Sequence, residues 1–138
     1  MKPVLFAAAL LIPGMALAQP AAPDLKTFST SAEVTALVAA AKAERKDEPQ
    51  ISKPILSLAP YRASMEYRAG TAPASAHETE AEMMYVIDGA GTLVVGGTLK
   101  DEKRNNATNR GGSGIDGGTS RHFTKGDFAF VPRPVPGQ

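Results

Sequence analysis

Pro73-Ala-Ser75-Ala-His77-Glu78-Thr-Glu80-Ala-Glu82-Met83-Met84-Tyr85-Val86-Ile87-Asp88-Gly89-Ala90-Gly91-Thr92-Leu93-Val94-Val95-Gly96-Gly97 carries a histidine and an acidic cluster straight into apolar alternation. The alternation predicts a strand over Met83 to Ile87, a turn at Asp88-Gly89-Ala90-Gly91 and a return strand over Thr92 to Val95, which together make a β-hairpin. Successive side chains in a strand point to opposite faces, so Glu82, Met84 and Val86 share one face. His77 stands five residues before Glu82 on a segment that Pro73 holds extended. Its imidazole and the Glu82 carboxylate can therefore point into one site. A neutral imidazole and a carboxylate suit iron, manganese, nickel or zinc at a site with open positions, so His77 and Glu82 are the candidate metal ligands. Glu78 and Glu80 lie on the same approach as further oxygen donors, and His122, the only other histidine, is a replacement ligand if its strand neighbours this one and turns it inward.

The spacing resembles the first motif of the cupin superfamily, in which two histidines one residue apart are followed by a glutamate and then a glycine. With His77 as the second histidine, Glu82 and Gly89 fall at the family distances, and Ser75 stands where the first histidine would be. The second cupin motif has a glycine, then a proline, a glycine and a histidine. It resembles Gly126-Asp-Phe-Ala-Phe-Val-Pro132-Arg-Pro134-Val-Pro-Gly137, where Gly126 and Pro132 match, Pro134 replaces the glycine and Gly137 replaces the histidine. The resemblance covers residues 61–138. It implies a mostly β protein with a cupin-like β-barrel (a double-stranded β-helix or jelly roll) and one N-terminal helix. Strands that follow the second motif in cupins have no counterpart before Gln138, so the barrel is expected to lack its last strands or to pair its open edge with a second copy as a homodimer.

Lys2, the apolar run Val4 to Ile12 and the triplet Ala16-Leu17-Ala18 have the charge, core and cleavage pattern of a secretory signal peptide over residues 1–18. The run is too short for a membrane span, so no membrane association is expected once it is cleaved, and the mature chain is expected to be periplasmic or secreted. There is no cysteine, which excludes disulfides and thiolate ligands. With 15 basic and 14 acidic residues and a net charge of +1, the chain gives no electrostatic reason to expect nucleic acid as a partner.

Residues 19–29 are rich in alanine and proline and are expected to form a linker, leaving residues 30–138 as the cupin-like domain. The domain opens with a helix. Thr30 or Ser31 caps it, Glu33 completes a capping box, Val34, Leu37, Val38 and Ala41 form its apolar stripe, and Pro49 limits it. Pro54 marks Ile51 to Leu58 as an edge strand or extended lead-in, and Tyr61 to Arg68 alternates as a half-buried strand. Thr98 to Thr119 is polar and glycine-rich and reads as a long loop, followed by short strands over Arg121 to Phe123 and Asp127 to Val131 around a turn at Lys125-Gly126.

Competing chemistries have less support. Gly111-Gly112-Ser113-Gly114 lacks the lysine and hydroxyl residue of a phosphate loop, and neither Ser75 nor Ser113 has the partners of a nucleophilic serine. Tyr67 and Tyr85 read as packing aromatics. The reading is an exported cupin-like protein that binds a small-molecule ligand at the barrel mouth, with a divalent metal on His77 and Glu82. The alternative is a metal-dependent cupin enzyme, a dioxygenase-type oxidoreductase or an isomerase.

Overall fold

The computed structural model describes residues 25–138. The proposed signal peptide and the linker as far as residue 24 lie outside the described residues. Among them the chain forms one helix and eleven short strands. Helix α1 spans Ser31–Glu44. The Thr30 hydroxyl accepts from the Glu33 amide at 3.1 Å while the Glu33 carboxylate accepts from the Thr30 amide at 2.6 Å, so the expected capping box is formed. Val34, Leu37 and Val38 are half-buried and Ala41 is fully buried, which is the anticipated stripe.

The helix packs on a hairpin of β1 (Gln50–Leu58) and β2 (Tyr61–Arg68). Their antiparallel register runs from Gln50 opposite Arg68 to Leu58 opposite Tyr61 and slips between Pro54 and Leu56, where proline has no amide to donate. Met65 is buried between half-buried Ala63 and Tyr67, while Arg62, Ser64, Glu66 and Arg68 face water. The ammonium of Lys42 lies 5.7 Å from the centre of the Tyr67 ring, which ties the helix to the strand beneath it. Lys26 exchanges two backbone hydrogen bonds with Ser57, both 2.9 Å, so the end of the expected linker is tied to β1.

The remaining strands are β3 (Ala74–His77), β4 (Glu82–Tyr85), β5 (Ala90–Val95), β6 (Thr98–Lys100), β7 (Lys103–Arg104), β8 (Asn109–Gly112), β9 (Gly114–Asp116), β10 (Thr119–Thr124) and β11 (Phe128–Val131). The expected hairpin between β4 and β5 does not form. β4 pairs with β11 and β5 with β10, both antiparallel. Val86 extends the β4–β11 ladder by donating to Asp127 and accepting from Gly126, so the short link at residues 87–89 carries the chain from one ladder to another, and Ala90 and Gly91, expected in the turn, are already paired in β5. The same crossing is made in reverse between β10 and β11.

The stretch expected to be a long loop is also different, since it holds β6, β7, β8 and β9. β6 pairs with β9 as a continuation of the β5–β10 ribbon, which is broken by Gly96, Gly97, Gly117 and Gly118, all at positive φ. A Cβ on Gly97 would strike the Asp116 carbonyl, and one on Gly118 would meet the carbonyls of Val95 and Gly96 at 3.0 Å. These four glycines let the ribbon bend sharply. The bend brings Leu99 of β6 and Ile115 of β9 against Ala74 and Ala76 of β3, the apolar cluster of this half of the molecule.

Residues 136–138 run between β3 and β5. Ser75 and Gly137 exchange backbone bonds of 3.0 and 2.9 Å, Val94 and Gln138 bonds of 2.9 and 3.0 Å, and Gly96 donates to Pro136 at 2.9 Å. The fold is mostly β with one N-terminal helix, as expected. Its strands form several small antiparallel sheets, none of which closes on itself into a barrel.

Candidate functional site

His77 is the last residue of β3, directly opposite Asn109 of β8, and Glu82 is the first residue of β4. The chain between them turns through residues 78–81 and brings the two side chains together, with His77 Nε2 3.1 Å from Glu82 Oε1. The imidazole is well covered, its side chain only 17% exposed, whereas the carboxylate is 45% exposed and open to solvent. On the far side of the ring, Nδ1 lies 2.7 Å from Asn109 Oδ1. An amide oxygen can only accept, so Nδ1 donates to Asn109 in this contact, and Nε2 is the ring nitrogen left facing Glu82, where it can donate to the carboxylate or, once it gives up its proton, offer a lone pair to a cation. Outer partners of this kind orient metal-binding histidines. The 3.1 Å separation is also one that two neighbouring ligands take on a single cation when each lies about 2.1 Å from it.

Ser75 lies two residues before His77 on the same face of β3, and Gly137 is its direct partner across the sheet. Ser75 and Gly137 are thus side by side.

The other acidic candidates are engaged elsewhere. Glu78 makes a two-pronged contact with Arg104, at 2.8 and 3.1 Å, and its Oε1 is 3.3 Å from Arg110 Nε. The hydrogen-bonded Arg104 guanidinium, aided by the charge of Arg110, holds the Glu78 carboxyl below the ordinary carboxylate range, and Glu78 in turn raises Arg104. Arg110 also meets Glu102 at 3.0 Å. Glu80 is 3.4 Å from Arg62. Glu78 therefore belongs to an arginine network and is not an open oxygen ligand. His122 is exposed on β10 opposite Thr92. Among the described residues no group of three or more histidines and acids is placed to hold a metal ion, and His122 does not join His77 and Glu82 in one.

Asn109 is the residue that sequence reasoning misses. It sits in a segment expected to be loop, and only the β3–β8 register places it against the imidazole. Of the two tyrosines expected to pack, Tyr67 is half-buried under Lys42, whereas Tyr85 is exposed, its ring 4.7 Å from that of Phe128, which is exposed too. An open depression of about 320 Å³ lies beside the bend, lined by Gly97, Leu99, Glu102, Arg110 and Pro134 to Pro136, and another of about 200 Å³ beside β1 and β2, lined by Leu56, Leu58 and Tyr61. Neither includes His77 or Glu82. No helix among the described residues is long and apolar enough to cross a membrane. Comparison with protein-family models, with curated proteins and with solved structures finds no match to this chain.

Proposed function

We propose that the chain is an exported, cupin-like protein that binds a small molecule at a divalent cation held by His77 and Glu82. The observation that carries the reading is the arrangement of one imidazole between two partners, Asn109 at 2.7 Å on Nδ1 and Glu82 at 3.1 Å on Nε2. Asn109 fixes the ring, Nε2 supplies the lone pair, and Glu82 supplies the negative charge that a cation needs. The motif order supports the cupin-like part, since Ser75 and His77 of β3 and Glu82 of β4 are neighbours in the chain, while Gly137, some sixty residues on, pairs directly with Ser75. With two protein ligands, the cation keeps most of its positions for water or an oxygen-bearing ligand such as a carboxylate, which is why binding is placed ahead of catalysis.

Thermal melting with iron(II), manganese, nickel or zinc tests this. A cation bound only by the folded state raises the melting temperature by mass action. The parent should respond to at least one of the four, and His77→Ala and Glu82→Ala should abolish the response. Asn109→Ala leaves both ligands in place but releases the ring, and should weaken binding by about 10–100-fold. An unchanged melting temperature of the parent in all four metals removes the cation from the reading.

A further inference from the structure

Apart from Glu82 and Asp127 at its ends, the β4–β11 ladder is apolar on both faces. Met84, Val86, Ala129 and Val131 are turned toward the interior, half-buried or buried. On the opposite face Met83 is 74% exposed, Phe128 69%, Phe130 61%, Tyr85 54% and Ile87 40%. These five form one patch, because Phe128 is paired with Tyr85 and Phe130 with Met83, and directly opposed residues project from the same side of a sheet. Ala81 and Pro132, which continue the same alternation at the two ends, are also exposed and uncharged.

We infer that this face is the contact surface between two copies of the chain, related by a two-fold axis. Scaled by about 150–250 Å² for a fully exposed side chain of this size, the exposures amount to roughly 600 Å² of apolar surface. That is the upper end of what a monomer leaves bare, roughly 300–600 Å². Two such faces together bury about 1,200 Å², enough for a specific interface at the small end of the range. A two-fold axis sets each position against its own patch, so a like charge on the face would be repelled by its twin. None of the outward positions from Ala81 to Ile87 or from Phe128 to Pro132 carries a charge. The same lack of charge disfavours a nucleic acid or an acidic peptide as the occupant. Two twisted β-ribbons stack face to face at about 10 Å, and the tilted Tyr85–Phe128 pair presents ring edges for such interdigitation.

The chain contains no cysteine, so an introduced one reports on a single position. Light scattering and sedimentation of the whole chain at micromolar concentration should give a dimer. Tyr85→Lys and Phe130→Lys should each shift it to monomer, with an unchanged far-ultraviolet spectrum in at least one of the two. Mild oxidation of Met83→Cys should give a covalent dimer, and oxidation of Arg62→Cys on β2 should not. A monomer at all accessible concentrations overturns the inference, even if the face captures an apolar probe or another protein. So does a dimer that survives both lysine substitutions while Met83→Cys stays uncrosslinked, since the contact would then lie elsewhere. Neither result touches the cation reading, which the metal titration decides separately.

Discussion

At Ser75 and Gly137 single side chains decide how complete the proposed cation site can be. Ser75 shares a face with His77, and a histidine there would add an imidazole to the existing pair. Gly137 does not have a positive φ, so backbone conformation does not restrict it to glycine. Space does, because a Cβ would meet Val131 Cγ1 and Cγ2 at 3.2 and 3.3 Å. Ser75→His is therefore expected to bind metal more tightly than the parent in equilibrium dialysis and to keep its melting temperature. Gly137→His should lose stability by about 1–3 kcal/mol, the usual cost of overfilling a packed position. A gain in affinity from Gly137→His with no loss of stability would show that Val131 yields and that the crowding argument is wrong. His77 and Glu82 were legible as a pair from their spacing alone, because the residue types and the strand boundary are local features. Asn109 was not, since its role depends on a register between strands separated by more than thirty residues, which leaves no mark in either segment.

Elements follow the same division between local and distant causes. The start of helix α1 is readable to within a residue because its signals, the Thr30–Glu33 box and the stripe ending at Ala41, are contained in one window, whereas Pro49 only bounds its end, which falls at Glu44. Strands β1 and β2 are likewise marked by Pro54 and by clean alternation. For β4 and β5 the period is correct but the partners are not, since apolar alternation specifies a face and leaves open which strand lies alongside. β6 to β9 escaped notice because strands of two to four residues, interrupted by glycine, are too short to show a period. The cap offers a clean test. Thr30→Ala should cost about 0.5–2 kcal/mol in chemical denaturation. The Glu33 carboxyl lies below its ordinary value of 4.5, chiefly through the Thr30 backbone amide and then through Lys26. A lowered folded-state value means that its contribution is complete above 4.5 and is lost as the pH falls through that lowered value. Glu33→Gln, which keeps a hydrogen-bonding side chain but cannot ionise, should thus be less stable than the parent near neutrality and converge with it in acid. A constant difference between the two down to full protonation would rule out the ionised carboxylate as the source.

For the whole molecule, the segment 136–138 is what joins otherwise separate pieces. β5 is paired with β10, and β3 with β8, but neither is paired with the other. Five backbone hydrogen bonds from residues 136–138 to Ser75, Val94 and Gly96 fill the gap, and the Gln138 side-chain amide adds a bond to the Ala72 carbonyl at 3.0 Å. Gly137 also lies against Val131, so the same three residues support β11 and through it β4, which carries Glu82. Removing them would leave the facing edges of β3 and β5 bare and loosen the two strands that position the cation pair. At about 0.5–1.5 kcal/mol net for each hydrogen bond the loss is several kcal/mol, set against a total stability of about 5–15 kcal/mol for a domain. Deletion of residues 136–138 is therefore expected to lower the melting temperature strongly and to speed hydrogen exchange at the amides of Ser75, Val94 and Gly96, while Glu33 and the rest of the α1 cap keep their protection. Cation binding should weaken as well, although neither His77 nor Glu82 has been altered. Unchanged exchange at Ser75 and Val94 after the deletion would mean that the two ladders are held together by the apolar cluster of Ala74, Ala76 and Leu99 alone, with the tail merely lying between them.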